Sequence, residues 1–279
     1  MNDVTRIPPE DLGKGSAIKV QIVETEIDLY WEFARVMFNR IRENNAAGRP
    51  SVFIVPVGPI GQFSRLAHLC NTEGVSCENL VLLHMDEYLD DNDQWIPRDH
   101  PLSFRGFVDR EFYDLLDPDK QVPPENRVFP DPNDLGAIQR KIDEVGGVDI
   151  AFGGIGINGH IAVNEPPEPG EEVDPEEFKN RPTRVLTLTR ETRTINSVTA
   201  AKGNIDAIPS RAVTIGMREI LSARKIHFFC NRIWQTAIVR RLIHGPVTPH
   251  VPASFFQEHP DATITMCRYV AELPAEALR

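Results

Sequence analysis

Eight short apolar runs, set apart by longer segments of helical period, restrict the possible folds of this chain more than any other feature. The runs are IKVQIV (18–23), SVFIVPV (51–57), LVLLHM (80–85), VDIAFGG (148–154), RVLTLT (184–189), RAVTIG (211–216), KIHFFC (225–230) and ATITMC (262–267). Most are rich in β-branched or aromatic residues and are bounded by Gly, Pro, Asn or Asp, which marks them as strands. Helical period is found at 26–45, 62–73, 103–116, 134–145 and 232–244. In the first of these, Ile27, Tyr30, Ala34, Met37, Phe38 and Ile41 are predicted to share one face. Strands alternating with helices predict an α/β fold: a mainly parallel sheet with helices on both faces. HVPASFFQEHP (250–260) reads as a turn and a short helix leading into the last strand.

No repeat or linker divides residues 1–279, so one domain is expected. The odd stretch is EPPEPGEEVDPEEFKNRP (165–182), acidic and Pro-rich, which reads as a surface loop. Thirty Lys and Arg against 41 Asp and Glu leave a formal net charge of −11, which argues against a nucleic-acid partner, since phosphates are neutralised by clustered cations. No apolar run reaches the roughly 20 residues of a membrane-spanning helix, and MNDVTRIPPEDLGKG has no apolar leader core. Cys70, Cys77, Cys230 and Cys267 form no C-x-x-C pair and read as buried free thiols in a reducing compartment, so a cytoplasmic location is expected.

Ligands of open α/β sheets bind beyond the carboxyl ends of the strands, so the residues that follow each run carry the chemistry. LVLLHM is followed at once by Asp86-Glu87-Tyr88. A partly desolvated carboxylate at a strand tip can remove a proton from carbon next to a carbonyl; an Asp after a strand can equally cap a turn. VDIAFGG leads into Gly154-Ile155-Gly156-Ile157-Asn158-Gly159-His160. The spacing matches G-x-G-x-x-G, but HIAVNEPP follows instead of a helix, so a dinucleotide site is not expected. Gly156 and Gly159 instead allow tight turns and close approach to a ligand. They present His160, with Asn158 and Glu165 nearby, as a proton shuttle or as a structural imidazole. The turn Val57-Gly58-Pro59-Ile60-Gly61 before the second helical segment is a weak phosphate cradle, having no hydroxyl, no Lys and a Pro without N–H.

Together these blocks resemble the glucosamine-6-phosphate deaminase (isomerase) family, whose relatives include the 6-phosphogluconolactonases. The resemblance runs over about residues 18–268. It rests on LHMDEYL, His100-Pro101-Leu102-Ser103-Phe104, GGIGINGHIAVNEPP, TRETRTINS (189–197) and PSRAVTIGMREIL (209–221). It implies a Rossmann-like three-layer α/β/α fold and an enzyme acting on a small amino sugar with no metal or other cofactor. By the same resemblance Asp86 is the base between C1 and C2, His160 opens the pyranose ring, Glu165 supports His160, and Asn158 orients it. Gly58, Pro59, Gly61, Gly156, Gly159 and Arg193 are expected to contact the sugar. The family's effector sites lie at subunit interfaces, so copies of the chain are expected to be able to form a homo-oligomer.

The departures from the family pattern concern the grip on the 6-phosphate. The family's P-T-G-G-T-P is here Pro56-Val57-Gly58-Pro59-Ile60-Gly61. Val198 stands where the family has Arg after N-S, and Trp234 stands where it has Lys. Two hydroxyls and two cations are thus missing, so a substrate without a 6-phosphate is one expectation. An anion clamped by Arg232, Arg193 or Arg218 is another, although all three also suit solvent-facing charge. A lactonase of the same fold and a non-catalytic sugar sensor are the competing readings. The M-D-E-Y and N-E-P-P forms speak against the lactonase, and residues 1–17 are too short for a sensor's output domain.

Overall fold

The computed structural model describes residues 3–275. Its centre is a parallel seven-stranded sheet of order β1-β10-β9-β6-β2-β3-β5. The strands are β1 (Lys19–Val23), β2 (Ser51–Val55), β3 (Leu80–His84), β5 (Arg127–Val128), β6 (Ile150–Gly153), β9 (Lys225–Cys230) and β10 (Ala262–Cys267). A second sheet is antiparallel and three-stranded, of order β4-β8-β7, from β4 (Asp86–Leu89), β7 (Arg184–Thr187) and β8 (Arg211–Thr214). The mainly parallel central sheet is as expected, and RVLTLT and RAVTIG form strands outside it. Their apolar content announced strands but carried no information about partner direction.

Among the described residues nine α-helices lie between or after the strands: α1 (Glu26–Ala46), α2 (Gln62–Glu73), α3 (Phe104–Glu111), α4 (Ala137–Glu144), α5 (Pro175–Lys179), α6 (Arg190–Ala200), α7 (Met217–Leu221), α8 (Thr236–His244) and α9 (Arg268–Ala271). α1 begins with a capping box: Thr25 Oγ1 accepts from Asp28 N at 3.1 Å and Asp28 Oδ2 accepts from Thr25 N at 3.0 Å. Such a cap contributes about 1 kcal/mol. The buried stripe of α1 is Leu29, Phe33, Ala34, Met37, Phe38 and Ile41. Ile27 lies 60 % exposed, so the face is rotated from the predicted one, with Leu29 and Phe33 at its start. Phe33 stacks on Phe229 of β9, ring centres 4.1 Å apart and nearly parallel, which fixes α1 against the sheet. α2 closes on Gly74, which takes the left-handed conformation (φ +67°) that glycine adopts without strain.

The acidic stretch is not loop throughout. Asp174 accepts from Glu176 N and Glu177 N, Pro175 occupies the first helical position, and Phe178 is buried beside Phe255. This cap, proline and single apolar anchor build the short α5. The 103–116 and 232–244 segments are shorter α-helices flanked by 3-10 turns, and Pro252–Glu258 is entirely 3-10. All four cysteines are buried and free, and Cys77 Sγ lies 3.6 Å from Cys70 Sγ. No helix among the described residues is long and apolar enough to cross a membrane.

Strand order reverses between β6 and β2, from which the chain runs outward in both directions. Side chains beyond the carboxyl ends of such neighbours have no sheet to cover them, and a crevice opens there. The antiparallel sheet stands over this crevice. Met85 N donates to Val55 O at 3.0 Å, continuing the large sheet, while Met85 O accepts from Ile215 N at 2.7 Å in the small one. Asp86 is the next residue, at the point where the chain passes from one sheet to the other.

Candidate active site

A cavity of about 410 Å³ occupies the crevice. Four strand ends supply its floor: Pro56–Ile60 after β2, Met85–Asp86 after β3, Gly154–Gly156 with His160 after β6, and Asn231–Arg232 after β9. Thr192 and Asn196 of α6 form part of a wall, and Pro101–Phe104 with Phe107 form another. The structure thus brings Asp86 and His160 to one hollow.

Asp86 is partly buried, and among the described residues no donor is hydrogen-bonded to its carboxylate. Burial penalises its charge, the neighbouring Glu87 adds repulsion, and His160 offsets only part of this, so its pKa is pushed up to about 7. A carboxylate held near neutrality is a stronger base than an exposed one.

His160 is supported from behind. Its Nδ1 lies 2.8 Å from Asn158 Oδ1, 3.3 Å from Glu165 Oε2 and 3.3 Å from Thr192 Oγ1. Asn158 Nδ2 donates to Glu165 Oε2 at 3.0 Å, which turns Asn158 Oδ1 towards the ring. An amide oxygen only accepts, so this network assigns the proton to Nδ1 and leaves Nε2 for a ligand. Among the described residues Nε2 has no protein partner. Burial works to raise the pKa of Glu165, but bonds from His160, Thr192 and Asn158 together with the His160 charge hold it down to about 2. Glu165 therefore stays ionised behind the imidazole. The ring lies over Gly156, where an added Cβ would come within 2.1–2.4 Å of three ring atoms. That contact is why glycine is required there.

Glu87, beside Asp86, has a structural role that its sequence position does not reveal. It is fully buried, and its carboxylate accepts from Ser103 Oγ, Phe104 N, Arg105 N and Arg105 Nε at 2.9–3.1 Å. These bonds fasten the start of α3, and with it the Pro101–Phe104 wall, to the residue after Asp86. A second acid beside the strand tip was visible in sequence; its partners 16 to 18 residues later were not.

The other expected contacts divide. Gly58, Pro59 and Gly156 line the cavity. Gly61 and Gly159 do not: Gly61 lets Tyr30 pack where a Cβ would clash at 2.6 Å, and Gly159 (φ +88°) makes the turn before His160. Arg193 is also elsewhere; its guanidinium donates to the Ile205 and Ile208 carbonyls and ties the 3-10 turn Ile205–Ala207 back to α6. Of the two other arginines, Arg218 pairs with Glu219, and Arg232 reaches the cavity. Val198 is 63 % exposed on α6 and lies outside the lining, whereas Trp234 is part of it.

No family model matches the chain. Among curated proteins it is 31 % identical over 264 residues to glucosamine-6-phosphate deaminase 1 of Bacillus subtilis (strain 168), an alignment covering 92 % of this chain and 99 % of the relative. A solved monomeric glucosamine-6-phosphate deaminase superposes with a TM-score of 0.78 at 28 % identity, covering 92 % of this chain and 100 % of the other. The 6-phosphogluconolactonase of Trypanosoma cruzi superposes with a TM-score of 0.64 at 17 % identity over 91 % of this chain and 96 % of its own, a likeness of fold alone.

Proposed function

The chain belongs to the glucosamine-6-phosphate deaminase family, and from that premise we propose that Asp86 and His160 carry the isomerisation and deamination of an amino sugar in the cavity they share. The observation behind this reading is their placement: an unpaired carboxylate poised near neutrality and a braced imidazole line one hollow of about 410 Å³.

A 2-amino-2-deoxyaldose reaches the enzyme as a ring. His160 Nε2 takes the proton of the anomeric hydroxyl and returns one to the ring oxygen, which opens the sugar and exposes the C1 aldehyde. The ionised Glu165 and the Asn158 amide stabilise the imidazolium formed between these transfers. Asp86 then removes the C2 proton. Electrons move into the C1 carbonyl, giving an enolamine in its enolate form; Asp86 delivers the proton to C1 as the nitrogen lone pair forms the C2–N double bond, and one N–H proton passes to O1. The imine left at C2 adds water and loses ammonia, leaving a ketose. Each step uses side chains already within the cavity or directly behind it. A reducing compartment such as the cytoplasm suits the four buried free thiols.

The test is ammonia and ketose release from glucosamine and its 6-phosphate by the wild type and by Asp86→Asn. Release by the wild type and its loss in the variant are expected. No release from either sugar, or an unimpaired variant, overturns the reading.

A further inference from the structure

Resting on that reading, we propose that the amino sugar this cavity takes is uncharged at the end remote from C1 and C2: a free hexosamine rather than its phosphate monoester. A phosphate monoester brings a charge of about −1.5 to −2 and three acceptor oxygens, and its tight binding depends on cations or unengaged donors.

The cavity offers few of either. Among the described residues its lining has three titratable side chains besides Tyr88: Asp86, His160 and Arg232. His160 is engaged with the reacting end and Asp86 repels an anion. Arg232 is the one guanidinium, and Glu26 Oε1 already stands 3.9 Å from its Nη1. The same carboxylate accepts from Asn231 Nδ2, so the β9 end of the lining is drawn towards a negative charge.

Three of the four hydroxyl groups in the lining are also committed, and the fourth, that of Tyr88, accepts from Asn196 Nδ2 and keeps one proton to donate. Ser103 donates to Glu87, Thr199 donates to Ile195 O, and Thr192 is turned to the His160–Glu165 pair. At the start of α2, where free amides would favour an anion, Pro59 has no N–H, and Gly61 N donates to Gln62 Oε1 at 3.0 Å. What remains at that edge is apolar: Ile60, 52 % exposed, and Trp234. Wherever a phosphate is placed in this hollow, it meets at most one shared cation.

Two measurements keep the specificity separate from the chemistry. The first is calorimetric binding of 2-amino-2-deoxy-D-glucitol and its 6-phosphate, open-chain analogues that need no turnover. The neutral analogue is expected to bind at least as tightly as the phosphate. Tighter binding of the phosphate by tenfold or more, or binding of neither, overturns the proposal. The second is kcat/KM for ammonia release from the two sugars, where the free sugar is expected to be the better substrate and a tenfold preference for the phosphate is the contrary result. If the neutral analogue binds as expected but neither sugar is turned over, the catalytic reading falls and the specificity stands. Ile60→Lys adds a cation at an exposed position of the rim, where folding is undisturbed. It is expected to shift the phosphate-to-free ratio at least tenfold towards the phosphate; an unchanged ratio counts against the assignment of this cavity.

Discussion

His160 and Asp86 line the same hollow but are built in opposite ways. The imidazole has three side-chain partners within 3.3 Å of one ring nitrogen, whereas no hydrogen bond reaches the carboxylate among the described residues. In the proposed mechanism orientation is what the first group needs: a proton must pass between two oxygens of one sugar, and a freely turning ring would pass it to water. Basicity is what the second needs, and every donor given to Asp86 would lower the pKa that burial has raised. One site is thus over-determined and the other deliberately bare, with Glu87 holding the cavity wall in place from the adjoining position.

The bare carboxylate is where the contrast is easiest to break. Asp86→Asn keeps the shape and removes the base, so turnover is expected to fall by about 10²–10⁴-fold while sugar binding survives. Steady-state ammonia release together with calorimetric binding measures both. A variant that loses binding as well would mean that Asp86 builds the cavity rather than acts in it.

The same substitution has a stability consequence of opposite sign. The folded-state pKa of Asp86 lies near 7, above the usual carboxylate value near 3.8, so the folded protein disfavours the ionised form. The cost is absent below pH about 4, grows as pH rises to about 7 and is constant beyond. Asp86→Asn is therefore expected to be more stable than the wild type at pH 8, by up to roughly 4 kcal/mol, and no more stable at pH 4. Denaturant unfolding at the two pH values reads the difference. An equal gain at both would remove ionisation as the cause.

Activity should carry the mark of that ionisation too. In the proposed mechanism Asp86 works deprotonated, so kcat/KM is expected to rise about tenfold per pH unit up to pH 7 and then level, and pH 5 costs roughly 100-fold. An acid limb centred near pH 4 would place the working carboxylate in an ordinary, solvated environment.

How much of this was legible before the structure depends on how far each signal reaches along the chain. The glycine-rich turn, His160 and two of its three partners lie within Gly154–Glu165, so one local motif encodes most of the imidazole's setting, and only Thr192 comes from elsewhere. Asp86 was legible as a strand-end acid, but its continuation into β4 was not, because an antiparallel partner at Arg211–Thr214 is specified more than 100 residues away. α6 passed unnoticed: TRETRTINS is polar and β-branched, with a weak apolar stripe, and is started by the Thr189 cap on Thr192 N. Arg193 looked like a ligand contact because its acceptors are main-chain carbonyls, which leave no trace in side-chain pattern.

The smallest expected effect probes the over-determined side. Glu165→Gln preserves size and keeps one acceptor oxygen for Asn158 Nδ2, while its NH2 donates to Thr189 Oγ1; in the wild type these two groups donate to the two carboxylate oxygens at 3.0 and 3.1 Å. What disappears is the negative charge facing the imidazole. A hydrogen bond to an ionised acceptor is worth about 1–1.5 kcal/mol more than one to a neutral amide, so kcat is expected to fall roughly tenfold with KM little changed. Because Asn158 still sets the ring's tautomer, the loss should be confined to the ring-opening step. A sugar alcohol analogue, already open, should bind the variant as it binds the wild type. If that analogue also binds more weakly, Glu165 is holding the loop in shape, and the Asn158 amide alone cannot orient His160.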